Sequence, residues 1–150
     1  MRRVNCVGDI QLGTVPTSGG YISNSAVTGT IKAGSQQQFF FRNTSMGDFA
    51  KGAWNFVFLG CEGAPDSHCG NDDIPATTIE QTPLIAEKPY ITIDSSGKYY
   101  LKRPRYKTAT VGVDWDDADV FDFTHVYVAS DADSAATING MLARGFHVVL

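Results

Sequence analysis

The sequence predicts an all-β chain made of right-handed, single-stranded parallel β-helix rungs, with a long irregular insertion, a β-hairpin and one short helix. Three observations carry this. Asparagine recurs at Asn5, Asn24 and Asn43, 19 residues apart each time, after short strand-like segments. The later segments alternate apolar and polar residues at the two-residue period of a strand. Fifteen glycines and nine phenylalanines stand beside few helix-forming stretches, a composition suited to short strands joined by many turns.

A period near 20 with one strand per copy fits two repeat architectures. A leucine-rich repeat needs leucines at fixed offsets, and residues 1–60 hold only Leu12 and Leu59. A β-helix needs stacked apolar strands and a repeated turn residue, and that pattern is present. Amides at one place in successive rungs can bond one another along the axis, which satisfies buried polar groups and fixes register. A degenerate fourth copy follows at Gly60-Cys61, 17 residues after Asn43.

Alternation then assigns faces. With the asparagine column inward, Phe39 and Phe41 point inward, and Gln36, Gln38, Phe40 and Arg42 point outward. In the rung before, Ile22 turns inward and Ser23 outward. In the rung after, Trp54, Phe56 and Phe58 go inward, while Asn55, Val57 and Leu59 go out. Five residues before the column, Gly19, Gln38 and Asn55 become stacked neighbours on one outer face. A slip of one residue would invert every assignment.

Residues 61–110 break the pattern. Pro65, Pro75, Pro83, Pro89 and Pro104 punctuate an irregular excursion. Within it, Tyr90–Ile93 and Lys98–Leu101 flank the turn Asp94-Ser95-Ser96-Gly97 and read as a hairpin. Further on, Val126–Val128 is a strand, and Asp133 or Ser134 can cap a helix from Ala135 to Arg144. Gly145 suits the position after it, and Phe146–Leu150 is again a strand. Stopping on an apolar run without a turn, the chain reads as truncated. The expected organisation is late rungs of a first β-helix over 1–60, a connector with the hairpin over 61–125, and the opening of a second β-helix over 126–150.

Composition excludes some partners. A formal charge of −4 and a pI of about 5.2, with no basic face, argue against nucleic acid. No apolar run approaches the roughly 20 residues that span a bilayer, and the basic start Met1–Cys6 lacks the apolar core of a signal peptide. Cys61 and Cys69 bracket a short loop and could close a disulfide in an oxidising compartment, while Cys6 reads as a buried thiol. His68, His125 and His147 have no ligand spacing, so no metal and no cofactor are expected. The run Asp114-Trp115-Asp116-Asp117-Ala118-Asp119 lacks the spacing and glycine of a calcium loop and reads as solvated.

Two segments resemble a known family. Gly19-Gly20-Tyr21-Ile22-Ser23, then Gly34-Ser35-Gln36-Gln37-Gln38-Phe39-Phe40-Phe41-Arg42-Asn43, then Trp54-Asn55-Phe56 is similar to a stretch of glycoside hydrolase family 55, in the pectate-lyase-like superfamily. Asp131–Asn139 resembles the short helix that opens such β-helices. The resemblance implies two tandem right-handed β-helices and inverting exo-cleavage of β-1,3-glucan in a secreted protein. It implies that the general acid is a glutamate of the second β-helix, to which no residue here can be matched.

The glutamine run is then the candidate catalytic feature. Amides can orient a water or bond sugar hydroxyls without adding charge, which suits an inverting reaction, and the resemblance matches Gln37 and Gln38 to a family pair. Gln36, Arg42, Trp54 and Asn55 are the candidate substrate-binding residues. Arg42 suits a hydroxyl or carboxylate, Trp54 an apolar pyranose face, and Asn55 stacks beside Gln38. The bland counterparts are a polar ladder, a structural ion pair and a core tryptophan. Among the loop acids Glu62, Asp66, Asp72 and Asp73, nothing selects one. The expected partner is polysaccharide, β-glucan foremost. The open coil ends would pack on further rungs of a parent protein or self-associate. The alternatives are a non-catalytic polysaccharide-binding or adhesin-like β-helix and, third, a polysaccharide lyase.

Overall fold

The computed structural model describes residues 1–70, 72–115 and 118–150. In chain order the strands are β1 (Asn5–Cys6), β2 (Ile10–Gln11), β3 (Thr17–Ser23), β4 (Ala26–Lys32), β5 (Gln36–Arg42), β6 (Ser45–Ala50), β7 (Phe56–Leu59) and β8 (Ala76–Ile79). They continue as β9 (Thr82–Ile85), β10 (Tyr90–Ile93), β11 (Tyr99–Pro104), β12 (Lys107–Thr110), β13 (Ala118–Asp122), β14 (Val126–Val128) and β15 (His147–Val149). One helix, α1 (Ala135–Ala143), precedes β15. The chain divides into two compact units, Met1–Ile85 with Tyr106–Asp116, and Ala86–Arg105 with Asp117–Leu150.

The first unit is a parallel β-solenoid. One parallel sheet runs β3-β5-β7-β8, and another joins β1, β2 and β6 to β4. Register stacks equivalent residues from coil to coil: Ile22, Phe41, Phe58 and Thr78 in one column, and Ser23, Arg42, Leu59 and Ile79 in the next. The inward phenylalanines therefore pile on one another. Phe41 and Phe58 stack with centroids 4.8 Å apart and planes 8° apart, and Phe49 of β6 meets Phe58 edge-on at 5.0 Å. Phe41 and Phe58 are 0% exposed. A large ring packed from above, below and across is removed from water on every side, which contributes about 2–3 kcal/mol per side chain relative to exposure. Gly20 faces inward in this stack, and a Cβ there would run into the Phe39 ring.

The solenoid extends past residue 60. β8 adds a fourth strand to the phenylalanine-bearing sheet, pairing in parallel with β7. The proline-rich lead into β8 hides it from period counting.

Two columns of left-handed residues shape the coils. In the first, the pairings Arg2–Ser23, Ser23–Arg42 and Arg42–Leu59 bring Arg3, Asn24, Asn43 and Gly60 into line. Their φ angles are 52, 46, 46 and 58°. Asparagine and glycine bear this conformation with least strain, which is why they recur. Asn5 is not a member: it pairs with Ala26, and Arg3 holds its expected place because the first coil is longer. The amides do not bond one another either. The Asn24 amide donates to the Asp114 carbonyl at 3.0 Å and its oxygen accepts the Asp114 N–H at 2.9 Å. Asn43 donates to Thr110 Oγ1 and the Gly112 carbonyl and accepts from Thr82 Oγ1 at 2.8 Å. The buried asparagines thus tie down β9 and the segment after β12.

The second column is Gly19, Gln38 and Asn55, with φ of 80, 52 and 60°. Pairing passes from Ser18–Gln37 straight to Gly20–Phe39. A left-handed residue inside a strand interrupts strict alternation, and two facing assignments change as a result. Gln36, expected outward, is inward and 4% exposed; Trp54, expected inward, is 47% exposed. Ser23, also expected outward, is fully buried between Arg2 and Arg42 in the ladder.

In the second unit β10 and β11 form the expected hairpin, and β13 pairs with β11 on its other side. Asp94 Oδ1 closes the turn by accepting the N–H groups of Ser96 and Lys98 at 2.8 and 3.0 Å. β14 and β15 run parallel, with α1 between them in the chain. Ser134 caps α1 by accepting the Thr137 N–H, and Gly145 at φ 84° ends it. Among the described residues, Leu101 and Val126 are the buried apolar side chains of this unit, and α1 buries none.

Candidate functional site

Every sequence-derived candidate lies in the first unit, on or beside β5 and the start of β7. Gln36 is withdrawn from the surface. It accepts the Thr17 hydroxyl at 2.6 Å and donates to the Gly19 carbonyl at 3.0 Å, which anchors the strand just before the left-handed column. The other five, Gln37, Gln38, Arg42, Trp54 and Asn55, are half-buried or exposed.

The left-handed column is what brings them together. An extended strand offers every second side chain to one face, whereas here neighbouring residues both reach solvent: Gln37 and Gln38 on one coil, Trp54 and Asn55 on the next. The coils are registered directly, since the Gln38 N–H donates to the Trp54 carbonyl at 3.0 Å and the Ala53 N–H to the Gln36 carbonyl at 3.2 Å. Ser18 of the preceding coil donates its hydroxyl to Gln38 Oε1 at 2.5 Å. That bond ties the Gln38 amide to the preceding coil and leaves the rest of its hydrogen-bonding capacity at the surface. Further along the same face Tyr21 and Phe40 stack with planes 8° apart, and the Arg42 guanidinium lies 5.9 Å from the Tyr21 ring centre. An outward face of amide donors, hydroxyls and flat rings without a dense charge suits a neutral polyhydroxylated ligand.

Beside it lies a cleft of about 500 Å³ lined by Trp54, Asn55, Val57, His68, Pro75 and Thr77, among others. Sequence reasoning set His68 aside because no ligand spacing involves it. The fold gives it a partner: His68 Nε2 lies 2.8 Å from Asp72 Oδ1. The imidazole contact holds the Asp72 carboxyl below its ordinary range. Two of the remaining loop acids serve the backbone or a neighbouring coil. Glu62 accepts the Ser45 hydroxyl, and Asp73 accepts the Ile74 N–H at 2.7 Å, so both are used structurally. The acidic run after Val113 falls partly outside the described residues.

Cys61 and Cys69 are free thiols. Cys61 packs against the core, and burial pushes its thiol up to about 11. Among the described residues no three His, Cys, Asp or Glu side chains converge as metal ligands, and no helix is long and apolar enough to cross a membrane.

Comparison with known proteins is consistent with this geometry. No protein-family model matches the chain. Over 155 aligned positions it is 33% identical to an exo-β-1,3-glucanase of Streptomyces sp. strain SirexAA-E, covering 99% of this chain and 25% of that protein. The solved structure of sacteLam55A from the same strain superposes with a TM-score of 0.89 at 33% identity, over 99% of this chain and 28% of that one. A variant of sacteLam55A refined in complex with glucose gives the same values. The chain is thus homologous to a segment of an exo-β-1,3-glucanase, as the family resemblance of its motifs implied, and spans about a quarter of that relative's length.

Proposed function

We propose that this chain forms part of an inverting exo-β-1,3-glucanase, contributing the face that holds the glucan and its attacking water. The general acid lies outside it. The observation that supports this most is homology to a glucanase along nearly the whole chain, with Gln37, Gln38, Trp54 and Asn55 gathered at the surface by one column of left-handed residues. In an inverting reaction a base-activated water attacks the face opposite the acid. Gln38, held by Ser18, orients such a water or bonds a sugar hydroxyl through its amide, and Gln37 supports it. The carboxylate base that takes the water's proton lies, like the general acid, outside this chain. Trp54 and Arg42 bind the glucan, and Asn55 extends the amide surface by one coil. The protein acts outside the cell. Its coil ends pack on the remaining rungs of the parent enzyme, with residues 126–150 opening a second β-helix.

Release of reducing sugar from laminari-oligosaccharides by the complete encoded protein tests this. Gln38→Ala is expected to lower kcat at least about tenfold, the loss of roughly one hydrogen bond in the transition state. Glucan binding without turnover in the wild-type protein would overturn the catalytic reading and favour a binding module.

A further inference from the structure

We propose that the cleft beside Trp54 is an additional glucosyl-binding site, in which His68, held by Asp72, hydrogen-bonds a hydroxyl of the bound glucan. This rests on the reading that the protein handles β-1,3-glucan, and it adds residues that no sequence motif marks.

Three observations converge. The cleft, at about 500 Å³, is within the range of small-ligand sites, and it joins an aromatic wall to polar groups rather than being apolar throughout. Trp54 is 47% exposed there. A large flat ring left open to water on a well-packed scaffold presents the kind of surface on which the apolar face of a pyranose packs. On the loop side, the His68 backbone is clamped. Its N–H donates to the Ala76 carbonyl at 3.0 Å and its carbonyl accepts the Ala76 N–H at 3.2 Å, so the imidazole is carried on the edge of β8 rather than on a loose loop. The contact from Nε2 to Asp72 selects the tautomer protonated at Nε2 and leaves Nδ1 as an acceptor for a hydroxyl.

A purely structural role explains the pair less well. Asp72 is 86% exposed and the His68 side chain 31%, and a pair with one partner open to solvent contributes little to folding. The pair holds the imidazole in a cleft that the exposed Trp54 also lines. Asn55 both lines this cleft and shares the left-handed column with Gln38 of the neighbouring coil, so the cleft borders the glutamine face.

Calorimetric titration of the complete encoded protein with laminarihexaose and laminaribiose tests the site. His68→Ala is expected to raise the hexaose Kd about tenfold and the biose Kd less than twofold, since the shorter sugar stays on the glutamine face. His68→Gln, which keeps an acceptor, recovers most of the hexaose affinity, whereas a merely structural histidine would not be rescued. An unchanged hexaose Kd in His68→Ala, in a protein that still hydrolyses glucan, overturns this inference alone. Absence of any glucan binding or hydrolysis in the wild-type protein overturns the proposed function and this site with it.

Discussion

The two units of the chain solve the same problem, burying strands too short to bury themselves, with unequal success. In the first, parallel coils stack so that each inward ring is covered by the ring of the next coil. Its buried cluster runs from Ile22 through Phe41, Phe49 and Phe58 to Ala76. In the second, a hairpin, a parallel strand pair and a helix leave Ile93, Val120, Val128 and Leu142 each more than half exposed. The difference lies in whether a side chain meets an equivalent neighbour above and below: the stacked coils supply one and bury a continuous cluster, the hairpin and strand pair do not.

The largest effect should come from the ring stack. Phe41→Ala removes contacts with Phe39, Phe49 and Phe58, and is expected to cost about 3–5 kcal/mol in denaturant unfolding of the first unit. A loss under 1 kcal/mol would show that the stack is not its core. Next comes the corner that ties the coils down. Asn43→Ala strips the bonds to Thr110, Gly112 and Thr82 and places alanine at φ 46°. About 2–3 kcal/mol should be lost, and amide exchange should accelerate first in β9 and β12.

In the second unit the corresponding single change is smaller. Ser134→Ala deletes the cap of α1 and should cost about 1 kcal/mol, read as faster amide exchange in the helix alone. The smallest effect at neutral pH concerns thiols. Exposed Cys69 should react with a thiol reagent at once, and Cys61 only on the timescale of unfolding. The folded Cys61 thiol titrates near 11 rather than 9.0. The unfolded chain therefore loses this proton first, and stability present below pH 9 is lost as pH rises toward 11. Cys61→Ala should flatten that alkaline decline; an equally steep decline in the variant would assign it to other groups.

Much of the first unit was legible because its corners are chemically marked. Asparagine and glycine tolerate the left-handed conformation, so Asn24, Asn43 and Gly60 announced the coil period, and the stacking of Gly19, Gln38 and Asn55 followed by counting back. What failed, failed for local reasons. Arg3 adopts φ 52° without belonging to the residue types that favour it, so the column was traced to Asn5 instead. Alternation was carried through Gln38 and Asn55 as though the strand were unbroken, which sent Gln36 outward and Trp54 inward. β8 was hidden behind prolines. His68 was invisible because its partner Asp72 is brought to it by a loop, and an i,i+4 pair outside a helix has no sequence signature.

The two corner columns also separate what can vary from what cannot. Within each coil the distance between them is constant: Gly19 to Asn24, Gln38 to Asn43 and Asn55 to Gly60 are each five residues. The lengths of the coils around that side differ, with 21, 19 and 17 residues separating Arg3, Asn24, Asn43 and Gly60. Insertions and deletions are thus absorbed elsewhere on the circumference, and the side between the corners works as a ruler of fixed length. Outward positions on it, such as Tyr21, Phe40 and Val57, keep the same lateral place from coil to coil. Each can exchange its chemistry without disturbing the register of the rest, so the surface of this side can change while the coil beneath it stays the same.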